Sequence, residues 1–165
     1  MDKQYPPILI RPRRPGDAGY VVYRHGVVYE REYELDQVFE KYVLAGVLAF
    51  LENPAGGEIW VAEVGDRIAG FIAVVRINPQ TAQLRWFLIE PEFRGLGLGR
   101  RLMDTLMAFC RQQNYRHIFL WTFQGLDAAR HLYERYGFRL TEEKPNNTWK
   151  NQLTEQRWDL DLSEK

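Results

Sequence analysis

The sequence predicts an α/β chain of the α+β kind, with a mixed, mostly antiparallel central sheet of about six or seven strands and flanking helices. Three observations carry that expectation. Three strand-like runs succeed one another between Glu58 and Glu90 with only short turns between them, the pattern of an antiparallel meander. A glycine-rich turn then opens an amphipathic helix that leads to a buried-type strand, which is the order of a β-α-β crossover. No Pro/Gly/Ser linker, low-complexity block or internal repeat divides the 165 residues, so one domain is expected.

The elements follow in order. "ILIRPRR" (Ile8 to Arg14) opens as a short apolar strand that Pro12 curtails. Gly16 and Asp17 suit a helix start after Pro15, and the amphipathic stretch from Ala18 to Tyr33 is followed by a second helix from Asp36 to Leu51, with a break near Gly26 or Glu34. "EIWVAEVG" (Glu58 to Gly65), "IAGFIAVVRI" (Ile68 to Ile77) and "TAQLRWFLIE" (Thr81 to Glu90) make the meander. Leu98, Leu102, Met103, Leu106, Met107 and Cys110 recur at helical spacing up to about Asn114. "RHIFLWTF" (Arg116 to Phe123) is a strand, "LDAARHLYERYGF" a helix closed by Gly137, and Arg139 to Glu143 and Glu155 to Leu162 are the last strands. The five tryptophans, Trp60, Trp86, Trp121, Trp149 and Trp158, are read as core or sheet-face residues.

Composition excludes several classes. Lys plus Arg balance Asp plus Glu at 22 each, so no global charge draws the chain to nucleic acid or an anionic membrane. Cys110 is the sole cysteine, which rules out an internal disulfide and a cysteine-based metal site, and no metal is expected. The N-terminal stretch lacks the apolar segment of a secretory leader, and no apolar run approaches the ~20 residues needed to span a bilayer. A cytoplasmic protein is expected.

The chemistry concentrates in "IEPEFRGLGLGRRLMDTLMAF" (Ile89 to Phe109). Glycines at 95, 97 and 99 remove the Cβ atoms that would block a ligand from the N–H groups at a helix start, and they permit positive φ. Those N–H groups sit at the positive end of the helix dipole. Arg94, Arg100 and Arg101 add charge-assisted donors. The arrangement suits a phosphate or pyrophosphate, although a tight strand-to-helix connection also uses glycine. A P-loop would need Lys-Ser or Lys-Thr after these glycines, and the dinucleotide fingerprint would need glycine at 100, where Arg100 stands. What remains is R-x-x-G-x-G across Arg94, Gly97 and Gly99.

This turn resembles the acyl-CoA signature of the GCN5-related N-acetyltransferase (GNAT) superfamily. The resemblance implies a GNAT fold with a cleft splayed between the fourth and fifth strands, and Arg94, Gly95, Leu96, Gly97, Leu98, Gly99, Arg100 and Arg101 around the pyrophosphate of acetyl-CoA. "AARHLYERYGFRL" (Ala128 to Leu140) resembles the superfamily's A-x-x-L-Y-E-x-x-G-F segment, whose tyrosine faces the thioester sulfur. That residue is Tyr133, implied to be the general acid, since a phenol stays protonated at neutral pH. Tyr136 is read as a core aromatic. By the same resemblance the Leu88 backbone N–H is the oxyanion donor, and Phe87 to Ile89 pair with the pantetheine arm.

The implied reaction is direct acetyl transfer to a primary amine on a small molecule, peptide or protein. Two positions depart from the usual pattern: Gln83 stands where many members carry Glu, and Leu126 where many carry Asn. The general base is therefore open among Glu63, Glu90, Glu32 and His25. His25, Tyr29 and Tyr33 on the N-terminal helices and Arg85 on the fourth strand are candidates to line the acceptor site, with packing or surface roles as the alternative. Cys110, on an apolar stripe, is not a nucleophile candidate. The likeness runs from about Ile10 to Leu162 and is nearest in look to the acetyltransferase half of bacterial proteins in which this domain follows a MarR-type DNA-binding domain. A role through DNA contact is not expected. A non-catalytic acyl-CoA-binding sensor or interaction module is the alternative function, and a homodimer is left open.

Overall fold

In the computed structural model, residues 5–163 are described; residues 1–4, where the segment read for a leader begins, and 164–165 lie outside them. The elements run β1 (Ile8–Pro12), α1 (Asp17–Tyr33), α2 (Gln37–Glu52), β2 (Glu58–Val64), β3 (Arg67–Asn78), β4 (Thr81–Ile89), α3 (Leu98–Gln112), β5 (His117–Phe123), α4 (Asp127–Arg135), β6 (Arg139–Asn146) and β7 (Leu153–Asp161). This is the expected order, with β6 three residues longer than the sequence pattern suggested. The break between the first two helices falls at Glu34, not Gly26. Glu34 takes a left-handed conformation (φ 59°), and the Asp36 side chain accepts from the Val38 N–H at 2.8 Å to cap α2.

The strands form one sheet in the order β1-β2-β3-β4-β5-β7-β6. Every neighbouring pair is antiparallel except β4 and β5, which run parallel. That parallel pairing covers only Thr81 to Gln83 against His117 to Phe119, after which the two strands part. One face of the sheet packs against α3, whose Leu102, Met103, Leu106 and Cys110 are buried; the other packs against Val21, Val28, Phe39, Val43 and Val47 of α1 and α2. Burial pushes the Cys110 thiol up to about 12, so it stays an inert apolar group.

A bulge in β4 explains the parting. Leu88 lies opposite Phe71 and Arg85 opposite Ala73, so Trp86 and Phe87 both answer to Ile72. Trp86 takes φ 44°, a conformation uncommon for a bulky residue. The extra residue also exchanges the faces. Before it, Ala82 and Leu84 pack with α3; after it, Trp86 and Leu88 pack with α1 and α2.

Candidate active site

A cleft of about 1120 Å³ opens where β4 gives way to α3. Gly95 (φ 83°) and Gly97 (φ 76°) hold the turn, and Gly97 caps α3. A Cβ on either would meet nothing within 4 Å and would project into open space. The first main-chain bond of α3 runs from the Arg101 N–H to the Gly97 carbonyl at 3.2 Å, so the N–H groups of Leu98, Gly99 and Arg100 have no acceptor within the helix. Gly99 serves differently, because a Cβ there would come within 3.3 Å of Leu132 and 3.4 Å of Phe87. It allows α3 to lie close against α4.

These features fit a diphosphate: bare N–H donors, the positive end of a helix and the guanidinium of Arg100 on the cleft wall. Arg94 also lines the cleft, with Nη1 2.9 Å from Glu32 Oε1 and Nε donating to the Ile89 carbonyl at 3.2 Å. Phe87, Leu88, Ile89 and Leu98 line it, and Tyr33, a candidate for the acceptor site, stands on this wall and not on that of the smaller cavity behind the cleft. Leu96 and Arg101 do not line it. Leu96 packs on the core and Arg101 is exposed on α3, since helical twist carries the second arginine of the pair off the wall. His131 and Arg135 of α4, which sequence reasoning missed, stand on the cleft wall as well.

The strand register corrects the expected oxyanion donor. The Glu90 N–H donates to the Ala69 carbonyl at 2.8 Å, and Leu88, two residues earlier, is paired with Phe71 in the same phase. In an antiparallel ladder that alternation turns the Leu88 N–H toward β3. The N–H of Ile89, and of Phe87 at the edge of the bulge, face the side on which β5 has departed.

Behind the cleft lies a smaller cavity of about 110 Å³, and Tyr29, Phe87, Leu126 and Ala129 line both spaces. Tyr133 stands on the cavity wall, 5% exposed, with its ring 6.3 Å from that of Phe87 and 6.0 Å from that of Phe138. Its hydroxyl has no hydrogen-bond partner among the described residues. Burial drives its pKa up, with the Tyr29 phenol adding to the shift, so it keeps its proton. Tyr136 instead ties α4 to α3, its hydroxyl donating to Asp104 Oδ1 at 2.5 Å and lying 3.0 Å from the Arg100 carbonyl.

Aromatic residues from five elements wall this cavity: Tyr29, Phe39, Trp86, Trp121, Phe123 and Trp149 among them. The tryptophans read as core or sheet-face residues therefore divide. Trp60 packs on Phe109 at 5.1 Å and Trp158 is buried in the core, while Trp86, Trp121 and Trp149 converge here. Tyr29 is stacked between His25 (5.1 Å) and Phe39 (4.9 Å). Arg85 reaches the cavity from β4, half-buried, over the rings of Trp86 (4.8 Å) and Tyr42 (5.5 Å). Burial pulls its pKa below the ordinary guanidinium value.

A model of the Acetyltransferase (GNAT) family matches residues 20–138. The chain belongs to this family. N-acetylaspartate synthetase of Danio rerio is 31% identical over 106 residues, which cover 64% of this chain and 38% of that protein. Human N-acetyltransferase 8B is 28% identical over 102 residues, covering 59% of this chain and 45% of that protein, so the chain spans about two fifths of the length of these curated relatives. Ard1 from Thermoplasma volcanium superposes with a TM-score of 0.76 at 27% identity, covering 95% of this chain and 99% of that one. The structure of yncA from Salmonella typhimurium with its cofactor acetyl-CoA superposes at 0.73 with 20% identity over 96% of each chain, which is a likeness of fold.

For a GNAT domain the proton acceptor is the open question, and most of the candidates are spoken for. Glu63 is 2.7 Å from Arg11 and outside both spaces. Glu90 is gripped by Arg24 through two bonds of 2.7 and 2.8 Å and takes a third from the Tyr20 hydroxyl at 3.1 Å, also outside both. Glu32 faces the cleft but is paired with Arg94. His25 lies on the cavity wall, 3% exposed, its Nδ1–H donating to the Val21 carbonyl at 2.9 Å. Burial, abetted by the charge of Arg85, lowers its pKa to about 4, too weak a base to strip an ammonium. Glu155 of β7 is the one carboxylate on the cavity wall among the described residues, 3.8 Å from Lys144. Its sequence surroundings gave no signal, because only the β5–β7 pairing opposite Phe123 brings it here. No cluster of three or more His, Cys, Asp or Glu gathers among the described residues, and no helix is long and apolar enough to cross a membrane.

Proposed function

We propose that this chain is an acetyl-CoA-dependent N-acetyltransferase that moves the acetyl group directly to a primary amine. The observation that carries the reading is the junction of the two spaces: a cleft floored by unpartnered main-chain N–H groups meets an aromatic cavity beside Tyr133. Acetyl-CoA supplies an acyl group already activated as a thioester, and the chain supplies position and protons. The nest at Gly95 to Arg100 holds the diphosphate, with Arg94 and Arg100 as charged donors. Ile89 and Phe87 offer main-chain N–H groups to the pantetheine arm and the thioester carbonyl, the role earlier assigned to Leu88. The amine nitrogen bonds to the carbonyl carbon, the carbon–sulfur bond breaks, and the Tyr133 hydroxyl gives its proton to the departing sulfur. The nitrogen's proton leaves through water, and Tyr133 is reprotonated from solvent.

The family's presence in this chain, the name of its relatives and the fit of the cleft support this reading. The likeness to MarR-linked acetyltransferases carries no DNA-contacting role with it, and the lone buried thiol agrees with a cytoplasmic setting. One observation favours a sensor that binds acyl-CoA without turnover: Glu63 and Glu90 are tied up in ion pairs and Gln83 occupies the usual place of a base. A single assay separates the two. Release of free thiol from acetyl-CoA is followed across amino acids, peptides, polyamines and aminoglycosides, with calorimetry for acetyl-CoA alongside. Turnover on any member establishes the transferase. Tight binding with silence across the panel establishes the sensor, and absence of binding overturns both.

A further inference from the structure

Arg85 differs from the other buried or half-buried arginines of this molecule. Arg11 is held by Asp17 and Glu63 at 2.7 Å each, Arg24 by Glu90 and Arg157 by Asp159 at 3.0 Å. Arg85 has no carboxylate and no hydrogen-bond acceptor among the described residues. A guanidinium carries five N–H donors, and those of Arg85 meet no acceptor among the described residues and are left facing the cavity. What keeps it in place is shape. The head lies over the Trp86 and Tyr42 rings and flat on α2 at Gly46, where a Cβ would come within 2.8 Å of Nη2 and 3.2 Å of Nη1. Glycine in a helix interior costs roughly 1 kcal/mol relative to alanine, so α2 gives up stability to seat this cation. The β4 bulge contributes too, since it brings Arg85 and its neighbour Trp86 to the same cavity.

The charge around it is one-sided. Glu155 is the only acidic side chain on the cavity wall among the described residues, and it has Lys144 at 3.8 Å. His25 is buried and neutral. The rest of the wall is mainly aromatic. A polyamine or an aminoglycoside would set further cations against Arg85 where water cannot screen them. A carboxylate would supply the missing partner through a bidentate, charge-assisted pair.

We propose that Arg85 is the specificity residue for the acceptor, and that the acceptor is a small amine bearing a carboxylate, of amino-acid size, whose carboxylate docks on the guanidinium while its amine faces the acyl-CoA cleft. This rests on the transferase reading above. The aromatic walls seat the acceptor's apolar part, and Gly46 and Trp86 keep the guanidinium's planar fork aimed into the cavity.

The test compares acids with their neutral counterparts. Acetyl transfer is measured for the proteinogenic amino acids, their C-terminal carboxamides, spermidine and kanamycin, with the full-length wild type, Arg85→Gln and Arg85→Lys. The best acid should exceed its carboxamide in kcat/KM by roughly 30-fold or more, as expected for a charge-assisted contact. That preference should collapse in Arg85→Gln and be only partly kept by Arg85→Lys, which has the charge without the fork. Comparing the acid-to-amide ratio between proteins cancels the difference in amine basicity. Calorimetry with acetyl-CoA should give the same affinity for all three proteins, which shows that each is folded. Transfer that favours carboxamides or polycations, or an acid preference untouched by Arg85→Gln, overturns the proposal and leaves the transferase reading standing. If no acceptor is turned over, quenching of tryptophan fluorescence by N-acetyl amino acids decides the site separately. Binding that needs both the carboxylate and Arg85 sustains it, and binding of the carboxamides alone, or none at all, overturns it.

Discussion

The two spaces that meet at Tyr133 are built from different materials. The cleft is chiefly a main-chain site: consecutive residues of one turn supply N–H groups, with the guanidiniums of Arg94 and Arg100 beside them, and side chains are missing at Gly95 and Gly97. The cavity is a side-chain site, assembled from α1, α2, β4, β5, α4 and β7, so that residues as far apart in the chain as His25, Arg85 and Glu155 share one wall. A main-chain site can hold the same ligand in many proteins, because backbone geometry does not depend on which residues surround it. A side-chain site can be rebuilt freely for each acceptor. The division teaches that a common donor and a private acceptor need different construction.

The sharpest way to break this comparison is to put a side chain where the cleft has none. Gly97→Asp should weaken acetyl-CoA on the order of 100-fold or more, because a carboxylate set among the nest's donors competes for them and repels a diphosphate. Aspartate tolerates the left-handed conformation better than most residues, so the fold should survive. Calorimetry reads the affinity and an unliganded thermal melt reads the fold. Binding within a few-fold of wild type would mean that the diphosphate rests elsewhere.

Tyr133 lies at the border and should show a split effect. Tyr133→Phe removes a hydroxyl that bonds nothing else among the described residues, so acetyl-CoA affinity should move by less than about twofold. Turnover should fall roughly 100-fold, the lower range for loss of a general acid. Single-turnover kinetics beside equilibrium binding checks both halves. A parallel fall in affinity and rate would recast Tyr133 as a packing residue.

The same division decided what could be read from the sequence. The cleft was legible because its residues are neighbours: R-x-x-G-x-G and the helix after it occupy one stretch, and periodicity placed that stretch between β4 and β5. The cavity was only partly so. Alternation along "TAQLRWFLIE" assigns faces by parity, and one bulge with Trp86 at φ 44° defeats parity from that point on. Arg85 stands just before the bulge, and alternation alone did not say whether its face met the acceptor or solvent. The Leu88 N–H was implied by the family resemblance, and the register beyond the bulge turns it toward β3. Glu63 and Glu90 looked available because their partners, Arg11 and Arg24, are 52 and 66 residues away in the chain. Long-range ion pairs leave no local pattern.

His25 provides a smaller test, of the cavity wall rather than the chemistry. Its pKa is about 4 in the folded protein against about 6.5 in an unfolded chain. The unfolded state therefore binds more protons between those values. The stability that a neutral, buried His25 confers is present above about pH 6.5 and drains away as pH falls toward 4. Between pH 7 and pH 5 the loss should be roughly 2 kcal/mol from this group. Urea unfolding at both pH values, in wild type and His25→Gln, isolates it. The variant should show the flatter pH dependence whatever its absolute stability; an unchanged slope would place the imidazole in contact with water.

The smallest expected effect concerns the one side-chain pair that reaches into the main-chain site. Arg94 is bonded to Glu32 and to the Ile89 carbonyl, so a ligand that takes its guanidinium must first displace a carboxylate. Glu32 also sets a negative charge on the wall of a cleft meant for an anion. Glu32→Gln removes the competitor and the charge together, and should tighten acetyl-CoA by about twofold to fivefold, the range for a partly exposed pair. Because such pairs are screened, the gain should shrink as salt is raised from 50 to 500 mM, on a Debye length that falls to a few Å. Weaker binding in Glu32→Gln at every salt concentration would reverse the sign. Glu32 would then be holding Arg94 in its working position, and the cleft would depend on a side chain after all.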